Sequence, residues 1–454
     1  MITTYARVYG FHVGRNKIVR MKHAENPPAV AVHAKPPSGS KPTSIWDQLK
    51  MVSGPVYVAV MLFAMSTWIG VVGIWVEMPL LVNALPESWN LPSYLVIIIQ
   101  CANLAPAAYA LWDKLRQRNR QATNESQNHH QQQQQHSRII DAEVVVSLVI
   151  ILTAIVSMLM LSLFWDHTTL VASTQRSIVL LTLVCFASLS CCTSSVVFLP
   201  YMARFPSVYI SAYYFDQGLC GLVPGLLGLA QVVGHETQCR NETDVSSNLT
   251  TLNIAHYNSS TRFSVSAFFL LITGLLCVSV VAFCCLNFAR RCRDEMVVSD
   301  VTDQRLKKIN KVAAERELAT GLPEDRQTPS VAVSVVSQQR RFISLFITVG
   351  IVNALWNGVL PATQTYTCLP YGDIVYKLAV CLSWVVSPLA TLPNMLAPTS
   401  SLPLITGLGS VASVIAAFHL LLASQSPHPI LQGSIVGEVI VVSYSCDLIL
   451  VAYF

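Results

Sequence analysis

Runs of about 20 apolar residues recur along most of this chain, and nothing else in it restricts the fold so strongly. A run of that length spans a bilayer core as a helix, because lipid offers no partner to an unpaired backbone N–H or C=O. The runs fall at about Gly54–Val82, Tyr94–Trp112, Val144–Phe164, Ser177–Leu199, Val208–Val233 and Val265–Leu286, then Phe342–Pro361, Ile374–Pro393, Leu402–Ala423 and Ile435–Phe454. They predict an all-α polytopic membrane protein with about ten transmembrane helices. Charged residues make up 12% of the chain, against about 25% in an ordinary soluble domain.

The polar segments between the runs divide the chain. Residues 1–50 carry scattered lysines, arginines and prolines, and read as a disordered basic cytoplasmic tail without the short apolar core of a signal peptide. Residues 51–286 form a first bundle of six spans, interrupted by a glutamine-rich linker at 115–140 and a polar loop at 234–262. Residues 287–341 form a charged loop, and 342–454 a second bundle of about four spans. The glutamine run within His129–His136 reads as a spacer rather than a histidine metal site.

Loop charge sets the orientation. Lysine and arginine crowd the tail, the linker after the second run and the loop after the sixth, so these segments and the N-terminus face the cytoplasm. The alternate loops hold few, chiefly Arg240, Arg262 and Lys377. The sugar-acceptor tripeptides at Asn241, Asn248 and Asn258 fall together in the 234–262 loop, which this topology puts outside. A fourth, at Asn124, lies in the cytoplasmic linker and is expected to stay unmodified. The net charge of +5 is gathered in such loops, a pattern of topology control and not of nucleic-acid binding. Most of the 13 cysteines lie inside apolar runs, as Cys191, Cys192, Cys284 and Cys285 do, where they act as small hydrophobes. Cys239 and Cys368 fall in expected outer loops, where a disulfide persists, with each other or each with another partner. No cysteine or histidine spacing suggests zinc, and no phosphate loop, His-Glu-x-x-His or Gly-x-Ser-x-Gly element stands in a fitting context. An enzyme, a resident cofactor and an obligate protein partner are not expected.

Ionisable side chains inside apolar runs are costly and usually face a partner or a cavity. Here they are Glu77, Asp216, His419, Glu438 and Asp447. Glu77 reads as the lining of a polar pathway or as a wetted interfacial carboxylate, and His419 as a hydrogen-bonded structural histidine. The amides say more. Asn353 and Asn357 are four apart and share a helix face, with Trp356 adjacent and Gln364 and Tyr366 beyond Pro361; Gln100 and Asn103 share a face of the second run. Each alone reads as interhelical hydrogen bonding. Together with aromatics and prolines that break helices, they point to a site within the membrane for a neutral, planar, hydrogen-bonding solute.

The motifs then resemble a known family. Gly73-Ile-Trp-Val-Glu-Met-Pro-Leu-Leu-Val and Leu85-Pro-Glu-Ser-Trp-Asn-Leu-Pro-Ser-Tyr-Leu resemble the first-span signature of the eukaryotic riboflavin transporters, solute carrier family 52. The likeness continues through Gln100-Cys-Ala-Asn-Leu-Ala-Pro, Cys192-Thr-Ser-Ser-Val-Val-Phe-Leu-Pro-Tyr-Met and Gly218-Leu-Cys-Gly-Leu-Val-Pro. It is strong again at Asn357-Gly-Val-Leu-Pro-Ala-Thr-Gln-Thr-Tyr-Thr-Cys-Leu-Pro-Tyr-Gly, and present at Gln432-Gly-Ser-Ile-Val-Gly-Glu-Val. The resemblance implies sodium-independent, facilitative riboflavin uptake at the plasma membrane, with riboflavin as transported substrate and the lipid bilayer as the other partner. It implies a bundle like those of the major facilitators and nucleoside transporters, with eleven spans. A last span would then lie beyond Phe454, and with it the expected disulfide partner of Cys368. For riboflavin, the resemblance makes Trp75, Tyr213, Tyr214 and Trp356 stacking candidates for the flat ring. Glu77, Asn103, Thr193, Gln217, Asn353, Asn357, Gln364 and Tyr366 become candidates for reading its polar edge and polyol. The competing readings are a carrier of another planar metabolite, such as a nucleoside, and a membrane receptor that moves nothing.

Overall fold

The computed structural model describes residues 53–112, 115, 129–232, 239–241, 254–256, 261–296, 343, 346–348, 350–396 and 402–453. Over the described residues, each apolar run is helical. The first is broken: α1 (Gly54–Ala64) passes through a 3₁₀ turn at Met65–Thr67 into α2 (Ile69–Ala84), and the two helices are bent by 54°. Ser66 and Thr67 turn their hydroxyls back onto the carbonyls of Phe63 and Ala64, at 2.7 and 2.8 Å. Such side-chain bonds offer the backbone an alternative to the helical ladder and favour a bend. There follow α3 (Leu91–Ala102), α4 (His129–Phe164), α5 (Ile178–Met202), α6 (Ser207–Val232) and α7 (Val265–Phe288). The C-terminal set holds a π-helical turn at Leu355–Val359 leading into α8 (Leu360–Cys368), then α9 (Asp373–Leu396), α10 (Leu402–Ser424) and α11 (Ile435–Tyr453).

By length and apolarity, six described helices can cross a membrane, or seven if the bent α1–α2 pair is one span. Ten were expected; α6, α9 and α11, of 26, 24 and 19 residues, are also long enough to span, though part of each lies outside the residues described in full. The glutamine run read as a spacer continues α4 back to His129, consistent with the fair helix propensity of glutamine. The tail 1–50, Asn124, Asn248 and Asn258, and most of the linker and of the 287–341 loop, lie outside the described residues. Asn241 closes a short strand, Cys239–Asn241, paired with Ile254–His256.

The chain's only other described strands, Thr169–Val171 and Thr174–Arg176, form a hairpin between α4 and α5. Its two turn residues, Ala172 and Ser173, have φ of 48° and 67°, the left-handed pair that a tight twisted hairpin demands. Below this hairpin, Glu87 is buried and accepts from the backbone N–H and hydroxyl of Ser177, both at 2.8 Å. The carboxylate therefore satisfies a free donor at the start of α5.

Two apolar clusters hold the helices. One joins α2, α4, α5 and α7 to α9 through Ile74, Met78, Phe268, Phe269, Tyr376 and Val380; the other packs α1 on α5, α6 and α7 through Phe63, Phe198, Tyr201 and Phe283. The N- and C-terminal sets meet chiefly where α6 lies along α9. Glycines permit it. A Cβ on Gly225 would stand 2.9 Å from the Cys381 carbonyl, and one on Gly228 2.5 Å from Val76 and 2.6 Å from the Cys381 sulfur. Small residues let membrane helices approach this closely.

Candidate functional site: a tryptophan-lined cavity between the two helix sets

Where α2 faces α8, α9, α10 and α11, the two sets stand apart and leave a cavity offering about 110 Å³ to the centres of water molecules. Trp68, Val71, Val72 and Trp75 enter it from α2 at the i, i+3, i+4, i+7 spacing of one helix face. Trp356, Asn357, Leu360, Pro361 and Gln364 enter opposite, again along one face. Val380, Ser383 and Trp384 of α9, Ile99 of α3, His419 of α10 and Ser445 of α11 complete the wall. Four tryptophans and five neutral polar side chains thus converge, with no carboxylate, lysine or arginine among the lining residues. Such a wall suits a flat, uncharged, hydrogen-bonding solute.

Local backbone chemistry shapes one side. Pro361 has no N–H, so the helix leaves the carbonyl of Asn357 without its usual partner. Gln100 supplies the missing donor from α3, its Nε2 standing 2.7 Å from that oxygen. The string continues: Asn103 Nδ2 donates to Gln100 Oε1 at 3.1 Å, and Asn357 Nδ2 to Asn353 Oδ1 at 3.0 Å. The π turn at Leu355–Val359 sits at this junction, and such turns often mark functional positions. His419 faces the cavity and its Nε2 lies 3.0 Å from the Thr367 hydroxyl, so it is both hydrogen-bonded and part of the wall.

Of the residues singled out from sequence, Trp75, Trp356, Asn357 and Gln364 line the cavity; Asn353 bonds the wall residue Asn357, and Asn103 stands a step further out, bonding Gln100. Tyr366 stands off it, donating to Asn90 at 2.8 Å with its ring 5.6 Å from that of Trp89. Thr193 bonds the Leu189 carbonyl of its own helix at 2.6 Å. Tyr213 is packed in the second apolar cluster against Tyr214. The side chain of Gln217 lies outside the described residues, as does that of Asp447.

Glu77 stands outside the cavity wall, and its burial overturns the reading of a wetted interfacial carboxylate. It is fully buried and paired with Lys377, which sequence had counted as loop but which stands one turn inside α9. Asp216 is likewise buried, its Oδ2 3.4 Å from the sulfur of Cys220, which also lies 3.5 Å from the Met65 carbonyl at the helix break. Cys368 carries a free, buried thiol, and the side chain of Cys239 is outside the described residues. No grouping of three or more metal-ligating side chains occurs among the described residues. Sequence reasoning missed Trp68, Ser383, Trp384, His419 and Ser445 as wall residues. The spacing of Trp68 and Trp75, seven apart on one face, was the available signal for the first.

A multi-pass helical membrane protein with an uncharged cavity between two helix sets is the architecture of a solute carrier. The profile of solute carrier family 52, riboflavin transporter, matches residues 53–126 and 129–454, and the chain belongs to that family. It is 34% identical over 394 residues to solute carrier family 52, riboflavin transporter, member 3-A of Danio rerio, covering 84% of this chain and 82% of that relative. It is 31% identical over 426 residues to member 3 of Homo sapiens, covering 86% and 85%. Member 1 of Homo sapiens is 30% identical over 397 residues, covering 85% and 82%.

Proposed function

We propose that this protein carries riboflavin into the cell across the plasma membrane. The observation that supports the substrate is the cavity wall: four tryptophans beside Asn357, Gln364, His419 and two serines, with no charged group. Riboflavin presents a flat tricyclic ring, a uracil-like edge of donors and acceptors, and an uncharged polyol. Stacking on indoles suits the ring, and amides that both donate and accept suit the edge. The names of the relatives support the same solute.

In this reading the protein is a carrier rather than an enzyme, and riboflavin is cargo, not cofactor. Residues 51–286 and 342–454 act as the two bundles, rocking about the cavity in alternating access without a sodium requirement. The N-terminus lies in the cytoplasm and the glycosylated 234–262 loop outside, as the loop charges favour. The test is uptake of labelled riboflavin by cells expressing the chain. Saturable uptake, blocked by excess unlabelled riboflavin and not by nucleosides, is the expected result. Uptake blocked by nucleosides alone, or none above control cells with the protein at the surface, would refute the reading.

A further inference from the structure

Lys377 belongs to α9, yet its ammonium is directed wholly at the N-terminal set. It donates to the Val76 carbonyl at 3.0 Å, to Glu77 Oε1 at 3.3 Å and to Gln231 Oε1 at 2.9 Å. A lysine ammonium has three donors, and all three are used. Gln231 of α6 braces the pair, its Nε2 lying 3.5 Å from Glu77 Oε2 and 3.2 Å from the Phe263 carbonyl. The Lys377 and Glu77 side chains are 3% and 0% exposed. Among the described residues this is the ion pair that joins the two helix sets.

Its place along the helices is specific. Trp75 and Val380, both in the cavity wall, stand two residues before Glu77 and three after Lys377. On the other side, towards the ends of α2 and the start of α9, Asn83 Nδ2 donates to Asp373 Oδ1 at 2.9 Å. The pair therefore lies between the cavity and the end of the bundle that carries the Leu85–Asn90 turn.

We propose that Glu77, Lys377 and Gln231 form the outer gate of the carrier, closed in this structure, and that they part to admit solute from outside. The proposal rests on the transport reading for its direction. Its chemistry suits a contact that opens. A buried ion pair has given up much hydration, and it regains that hydration when water enters between its partners. An apolar seam of the same area gains nothing on opening and resists it. The alternative is a permanent rivet between the two sets.

The test uses a cysteine placed in the cavity wall, Val71→Cys, and a membrane-impermeant cationic thiol reagent added to intact cells. The labelling rate is taken per surface molecule, with the same chains lacking the added cysteine as blanks. The gate is removed by Glu77→Gln together with Lys377→Met, which leaves no unpaired buried charge. Labelling from outside about tenfold faster than with the gate intact is expected, since loosening the closed state raises the open population. Glu77→Gln alone is the second variant, and it decides by the same criterion if the double variant does not reach the surface. A rate unchanged within about twofold, or faster labelling only in inside-out vesicles, would overturn the proposal. The readout needs no riboflavin, so failure of the substrate reading would leave the labelling result standing.

Discussion

Trp75, Trp68, Trp356 and Trp384 supply the aromatic part of the wall, and each is expected to matter through its ring rather than its bulk alone. Removing one with Trp356→Ala or Trp384→Ala should raise the half-saturating riboflavin concentration about tenfold or more, since aromatic pairing is worth about 0.5–1.5 kcal/mol beyond the buried area. Gln364→Leu should weaken uptake about tenfold, because a buried hydrogen bond left unmade costs about 1–3 kcal/mol. Tyr366→Phe serves as the contrast: its hydroxyl bonds Asn90 away from the wall, so uptake should change by less than about threefold. Equal losses for Gln364→Leu and Tyr366→Phe in concentration-dependent uptake would contradict this placement. Lys377→Met alone leaves Glu77 buried without its cation. It should cost about 3–5 kcal/mol in thermal unfolding of the purified protein, much of it recovered by adding Glu77→Gln. The wall was partly legible in the sequence. Amides and a tryptophan clustered near Pro361 announce themselves as misplaced in lipid. Trp384, Ser383 and Ser445 do not, because isolated tryptophans and serines are ordinary in membrane helices and only tertiary packing gathers these. Glu77 was visible as an oddity, but its partner lies 300 residues away and no local pattern encodes that distance.

The helices themselves were the most legible level, since each apolar run is long enough to satisfy its own backbone. What sequence could not give is how closely they approach. The α6–α9 contact depends on Gly225 and Gly228, where any side chain would meet Cys381 or Val76 at under 3 Å. Gly225→Val should separate the helices and cost about 1–3 kcal/mol through overpacking, read as earlier thermal unfolding. Gly274→Ala, where a Cβ meets nothing within 4 Å, should leave unfolding unchanged and marks the difference between a packed and an idle glycine. The break at Met65–Thr67 matters for a separate reason. It turns α2 so that Trp68 and Trp75 share the face that meets the C-terminal helices.

At the scale of the whole molecule, the described contacts between the two helix sets are the close α6–α9 seam, the apolar cluster of α2 and α7 on α9, a buried ion pair and a few polar bonds, with the cavity between them. A carrier needs that balance: contacts numerous enough to close one side, and few enough to release it. The helices follow from the apolar runs, whereas the cavity follows from side chains drawn from six helices. The most direct measurement of the central claim is the fluorescence of riboflavin titrated with the purified protein. Indoles stacked on the flavin ring quench its emission, so the account predicts saturable quenching by the intact chain. It also predicts that the half-saturating protein concentration rises about tenfold in Trp75→Ala and in Gln364→Leu. Absence of saturable quenching by the folded protein, or quenching unaffected by both substitutions, would contradict it.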